Sequence, residues 1–326
     1  MALFRALSAV PNTIGRPQVN SAQAFAPAAI TNFFEISYDH SPTAVGATGG
    51  GYILSKGTTS KVSLGPKGYS EIRTSVNGDF AYNARTTRRA LELLFSAARV
   101  APRGIRIDQQ VGTPIGAGFG ASGAAAISGV YAAASAVGIS RSDRELALFA
   151  HRAEILEQTG LGTVSVIFNS VGAGAVVAPG EPGVARFVGV KAPGDLRIVT
   201  AVVGPYDKRD ALGSKPVSEK INLLGHIALE GVLADPTLNT LAGEGERFSR
   251  SLGLESPEVK KLIATAKSAG AEYASQNMIG YAVHALTNVD TGWKVASALR
   301  RFSPDVRVDT FGLGRHSASL VRPSRR

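Results

Sequence analysis

The chain contains no cysteine, only two methionines and a single tryptophan among its 326 residues. Lacking cysteine, it has no disulfide framework, no thiolate zinc site and no cysteine nucleophile, and it suits a reducing, cytoplasmic setting. Long apolar runs are missing as well. The most hydrophobic windows are broken by Gly, Ser and Arg before they reach the roughly 18 residues a membrane span needs, so a soluble protein without a membrane partner is expected. Acidic side chains are scarce: 25 Asp and Glu stand against 35 Lys and Arg, which leaves a net charge of +10 and a pI near 9.9.

Such a balance points to anionic partners, whether nucleic acid, an anionic surface or phosphorylated metabolites. The positive charge is scattered, however. It lies in small groups at Arg85, Arg88 and Arg89, at Arg141 and Arg144, at Arg300 and Arg301, and in the closing "RPSRR". None is interleaved with aromatics as a stacking platform requires. A basic solvated surface is the plainer reading, and nucleic acid is not expected as the main partner. Oligomeric state is not legible; a homodimer is only the default for a soluble enzyme.

What is present is apolar substance, 44% hydrophobic against 18% charged, enough to bury sizeable cores. The length suits two domains of about 100–200 residues each. Residues 1–34 hold no acid and two arginines, Arg5 and Arg16, a composition loosely like a transit peptide. Two prolines and a glycine in "VPNTIGRP" would interrupt an amphipathic helix, so residues 1–20 are read as an extension. The chain then divides into 21–192 and 193–326, with the boundary near 190–195 around "KAPGD".

Ala90, Leu91, Leu94, Phe95 and Ala98 sit at helical spacing within 81–99, and Pro102 and Gly104 follow. "GIRIDQQV" alternates as a strand through Ile105, Ile107 and Val111, with Gln109 breaking the series. Ser142 followed three residues later by Glu145 is a capping box opening a helix over 143–158, with Gly160 as its stop. Pro179 to Gly183 reads as a turn between strands, and 196–204 as a buried strand. The last third predicts helical stretches at 217–234, 257–286 and 292–301, with strands at 306–311 and 315–321. Helices and strands without a strict alternating rhythm favour an α+β class.

The segment "TPIGAGFGASGAAAISGVYAAASAVG" at 113–138 carries the chemistry. A strand, a loop with Gly116, Gly118 and Gly120, and then a helix is the layout that binds phosphate, because free N–H groups and the positive end of the helix dipole meet the anion. The loop lacks the Lys-Ser/Thr ending of a P-loop, since Gly123 follows Ser122. It also departs from the dinucleotide pattern, with glycines at first, third and fifth place and no acid in the following twenty or so residues. A run of Gly and Ala alone equally describes close helix packing.

"PIGAGFGASGAA" resembles the second motif of the GHMP small-molecule kinases, Pro-x-x-x-Gly-Leu-Gly-Ser-Ser-Ala-Ala, with Phe119 for Leu and Ala121 for the first Ser. Three further segments resemble the archaeal pantoate kinases of that superfamily: "AFAPAAITNFFEI" at 24–36, "AHRAEILEQTGLGTV" at 150–164 and "ASQNMIG" at 274–280. The last of these resembles the family's Ser-Gln-x-Met-Leu-Gly. The four are spread along most of 24–325.

The resemblance implies two α+β domains, one ribosomal protein S5 domain 2-like and one ferredoxin-like. It implies ATP and Mg2+ as cofactor, and a small hydroxy acid, pantoate, phosphorylated on the way to coenzyme A. By the same resemblance Pro114, Gly116, Ala117, Gly118, Phe119, Gly120, Ala121, Ser122, Gly123 and Ala124 would wrap the triphosphate. Ser122 and Glu154 would hold Mg2+, which suits a hard cation completed by water and phosphate oxygens. His151, three residues before Glu154 and on the same helix face, would lie near the acceptor. By residue type alone Glu154 would be a solvated surface charge and His151 a packing histidine.

The chain also departs from the family. The acid-base aspartate of Gly-Leu-Gly-Asp is Thr163, which takes no proton at neutral pH. A polar pair is replaced by Ala28 and Ala29, an arginine expected around 175–178 is absent, and Lys208 stands where a threonine follows Gly-Pro. Phosphoryl transfer rests mainly on positioning and electrostatics, so an active kinase with a changed site and a non-catalytic, nucleotide-binding paralogue are both consistent with these residues.

Overall fold

The computed structural model describes residues 20–37, 46–65, 71–100, 104–169, 172–204 and 215–321. The expected extension at 1–20, apart from Asn20, together with Lys208 and the closing basic cluster, lies outside them.

Two long strands start the chain, β1 (Ser21–Ser37) and β2 (Gly46–Leu64), paired antiparallel. β3 (Ile72–Val76), α1 (Arg85–Ala98) and β4 (Ile105–Val111) follow as a crossover between parallel neighbours. Then come α2 (Ala121–Val137), α3 (Asp143–Leu156), α4 (Thr163–Asn169), β5 (Ala173–Ala178) and β6 (Arg186–Gly189). The sheet runs β11-β1-β2-β4-β3, with β5 and β6 attached at the other end of β2; β11 (Ser319–Leu320) is the returning C-terminal segment.

α2 lies at the centre of this unit. Its alanines, glycines and serines bury nearly every position, and their small side chains let it touch β1, β2, α1 and α3 together. Gln109 does not break its strand's pattern as expected. It is fully buried on the face of Ile105 and Ile107, where its amide nitrogen donates to Ser60 Oγ and the Ala125 carbonyl and its oxygen accepts from Thr87 Oγ1. Complete hydrogen bonding lets an amide occupy a core position.

The second unit is β7 (Arg197–Gly204), α5 (Lys215–Ala234), α6 (Leu238–Leu252), α7 (Pro257–Ser268), β8 (Tyr273–Gln276), β9 (Tyr281–Thr287), α8 (Val289–Arg300) and β10 (Arg307–Phe311). Its sheet order is β10-β7-β9-β8, the ferredoxin-like arrangement. α7 and α8 cover one face. On the other face Ile198, Val202, Ala282 and Leu286 share a core with Ile30, Phe33 and Phe119 of the first unit. Residues 190–196 connect β6 to β7 and include the stretch 190–195 where the sequence places its boundary, and Gly314 donates its N–H back to Ile53 of the first sheet.

The expected helix over 257–286 is corrected. It ends at Ser268, Gly270 takes a left-handed φ of 102°, and two strands follow. Alanine in "YASQ" and "YAVHAL" suggests helix, but burial in a sheet overrides that propensity. Likewise α6 is unforeseen. Thr237 caps it, accepting from the Thr240 N–H, while Gly243 and Gly245 within it lower its intrinsic helix signal. The strand expected over 315–321 is reduced to two residues.

Candidate active site

The loop between β4 and α2 is shaped by three glycines. Gly116, Gly118 and Gly120 have φ of 76°, 82° and 62°, values that side-chain-bearing residues rarely adopt. Between them the carbonyls are tied outward: Ala117 O accepts from Asn277 Nδ2 at 3.3 Å, and Phe119 O accepts from the Ala29 N–H at 3.1 Å. The second bond depends on a bulge in β1 between Pro27 and Ala29, where proline has no N–H to give the ladder and Ala29 turns to the loop.

A planar trans peptide points its N–H opposite its carbonyl. The N–H groups of Gly118 and Gly120 are therefore directed away from these two anchors, and both glycines line a cleft. Neither N–H makes a hydrogen bond among the described residues. α2 starts beside them with no side-chain cap and no acid in its first turn, so its N–H groups at Ala121, Ser122 and Gly123 also face the cleft end. Consecutive free donors at a helix N-terminus form an anion cradle.

Opposite this cradle stands Glu154. The box that opens α3 is formed as the sequence predicts: the Glu145 N–H donates to Ser142 Oγ, and Glu145 Oε2 accepts from the Ser142 N–H. Near its other end Glu154 is buried, 1% exposed, not solvated, yet it lines the cleft. Its Oε2 accepts from the Val164 N–H at 3.1 Å, fixing the carboxylate at the first turn of α4. Gly160 is not the helix stop. α3 ends at Leu156, the chain turns at Gln158 with φ 53°, and Gly160 is glycine because a Cβ there would collide with Glu154 Oε1.

Gly116, Gly118, Phe119, Gly120, Ala121, Ser122 and Gly123 all reach the cleft wall, as does Thr163. Pro114, Ala117 and Ala124 lie buried behind it. The Thr163 methyl packs against the start of α2, where Cβ atoms added at Gly120 or Gly123 would meet it. His151 does not reach the wall. A step of three residues leaves two side chains about 60° apart around a helix, enough to separate it from Glu154. It is 1% exposed with neither ring nitrogen hydrogen-bonded among the described residues, and burial, with Arg152 adding, lowers its pKa to about 4.

The cleft encloses about 780 Å³. At one end Tyr82 and Asn83 line it from the segment between β3 and α1 and Arg85 from the start of α1; at the other end of that segment the Val111 N–H donates to Asn77 Oδ1. At the other, Ala29, Thr31 and Met278 form a small wall beside Thr163. Tyr82, Thr31 and Asn277 were not singled out by sequence reasoning. Their only signal is proximity to motifs: Tyr82 and Thr31 reach the cleft through tertiary contact, and Asn277 lies buried behind the loop on the Ala117 carbonyl.

Glu154 and Ser122 offer a carboxylate and a hydroxyl that makes no hydrogen bond among the described residues. Both are hard oxygen donors and fit Mg2+, which takes few protein ligands and completes its shell with phosphate and water. Among the described residues no cluster of three His, Asp or Glu could hold a metal unaided, and no helix is long and apolar enough to cross a membrane.

Residues 85–169 match the family described as GHMP kinases N terminal domain. Over 289 residues, 87% of this chain and 92% of the relative, the sequence is 25% identical to a pantoate kinase of Methanospirillum hungatei. The solved structure of a phosphotransferase related to the CoA biosynthesis pathway superposes with a TM-score of 0.82 at 24% identity, over 94% of this chain and 100% of the other. The homoserine kinase from Cytophaga hutchinsonii does so with a TM-score of 0.66 at 17% identity, over 94% and 99%. Residues 85–169 are thus similar to a GHMP kinase N-terminal domain, and the chain shares the α+β fold of these solved structures.

Proposed function

We propose that the protein is an ATP- and Mg2+-dependent phosphotransferase acting on the hydroxyl of a small hydroxy acid, with pantoate the foremost acceptor. The observation that carries this reading is the convergence in one cleft of the Gly118 and Gly120 N–H groups, the first turn of α2 and the buried Glu154 carboxylate. The pantoate kinase relative and the CoA-pathway phosphotransferase support the choice of acceptor.

In this reading the cradle binds the triphosphate, and Ser122 with Glu154 holds Mg2+. Bound there, Mg2+ would supply charge neutralisation for the transferring phosphate. The acceptor oxygen forms the new P–O bond as the bond to the ADP leaving oxygen breaks, and the hydroxyl proton passes to water. Thr163 stands beside the cradle and can orient a hydroxyl but not take its proton. Positioning therefore supplies most of the acceleration.

A second reading is favoured by Thr163 with Ala28 and Ala29: a nucleotide-binding protein of the same fold that transfers no phosphate. Phosphorus-31 NMR of the protein with MgATP and D-pantoate separates the two. A phosphomonoester signal alongside ADP is expected, and Ser122→Ala and Glu154→Gln should each slow its appearance by at least about 100-fold. Unchanged rates in both variants would overturn the site assignment. Intact ATP in the wild type would favour the second reading.

A further inference from the structure

The turn that joins β8 to β9 leaves the second sheet and enters the site of the first. Asn277, at its start, is fully buried and sits with its Cβ close enough to Gly118 that a Cβ added there would lie 3.0 Å away. Next to it the Met278 N–H donates to Thr31 O at 2.9 Å, and Met278 lines the cleft. Two anchors thus hold one short turn against the first unit, Asn277 Nδ2 on Ala117 O and Met278 N on Thr31 O, while Asn277 N on Ala282 O at 2.8 Å closes the turn itself.

The amide of Asn277 has a determined orientation. Its nitrogen faces a carbonyl, so its oxygen faces His284 Nδ1 at 2.8 Å and accepts that proton. His284 is itself 2% exposed, and its ring meets Tyr52 edge-on at 5.7 Å. Burial lowers its pKa to about 3, so it is a neutral donor with its proton on Nδ1. If the amide were reversed, Asn277 Oδ1 would face the Ala117 carbonyl, two acceptors in a buried space.

We propose that Asn277, oriented by His284, is a positioning residue for the triphosphate: by holding the Ala117 carbonyl outward it turns the Gly118 N–H into the cleft. Affinity for the phosphate portion of the nucleotide is thereby set from the second sheet. The proposal rests on the nucleotide-binding reading above, and it concerns a position that the family-like pattern in "ASQNMIG" leaves open.

The test uses the full chain and calorimetric titration with MgADP and with adenosine. Asn277→Asp and Asn277→Ala are expected to weaken MgADP binding roughly tenfold while leaving adenosine within about twofold. In turnover, KM for MgATP should rise more than kcat falls. His284→Ala should weaken MgADP in the same direction, and His284→Asn, whose amide nitrogen replaces Nδ1, should restore wild-type affinity. MgADP binding unchanged in a folded Asn277→Asp protein would sink the proposal, as would equal losses of adenosine and MgADP. If the wild type binds neither ligand, the kinase reading falls and takes this one with it.

Discussion

Single residues in this site are chosen for what they make room for. Gly116, Gly118 and Gly120 permit left-handed backbone, and the alternation is needed because the carbonyls between them are pulled the other way. Gly160 works differently, leaving space for Glu154 Oε1. Gly160→Ala adds one methyl group and is expected to displace the carboxylate, cutting turnover at least about tenfold, with an unchanged far-ultraviolet circular dichroism spectrum. Wild-type turnover in that variant would show that Glu154 tolerates displacement and takes no part in the reaction.

At the scale of elements, α3 is held near both ends, and only the first of the two groups is legible in the sequence. Its capping box lies at Ser142, and the Glu154 carboxylate caps α4 in turn through the Val164 N–H. Ser142→Ala should cost about 1 kcal/mol, measured as a lowered urea midpoint. Ser256→Ala, which removes the cap of α7 on the far face of the second sheet, should cost a similar amount. No change of midpoint in either would mean that solvent replaces these caps. Elements also explain the loop: β1 breaks its ladder at Pro27, so Ala29 is free to hold Phe119 O.

Over the whole molecule, two buried histidines link stability to pH. His151 in the first unit and His284 in the second have pKa values pushed down by burial to about 4 and about 3. Unfolded imidazoles titrate near 6.5, so between these values the unfolded chain binds more protons than the folded one. The sign follows: stability is fully present above about pH 6.5 and falls as pH drops toward 4. At pH 5.5 the loss is about 1.4 kcal/mol per histidine. Urea unfolding at pH 7.5 and 5.5 should show it, and His151→Leu should remove about half. A pH dependence unaltered by that change would place the effect elsewhere.

Local rules were enough for α1, β4, α3 and the glycine loop. Their signals, helical spacing from Ala90 to Ala98, the Ser142 to Glu145 cap and glycines before a helix, act within a few residues and need no partner. They failed for β8 and β9, whose alanines become strand only between packed neighbours, and for Gln109, whose core position needs partners from β2, α1 and α2. Glu154 was named through resemblance, while its burial, its bond to Val164 and the space left by Gly160 exist only after folding. Asn277 lies 160 positions from Ala117, and no local signal reaches across that distance. The sequence alone determines that a glycine loop stands between a strand and a helix, a layout that suits phosphate; the direction of its N–H groups is decided by carbonyl anchors from β1 and the second sheet, because a peptide plane turns only when something outside it holds its oxygen.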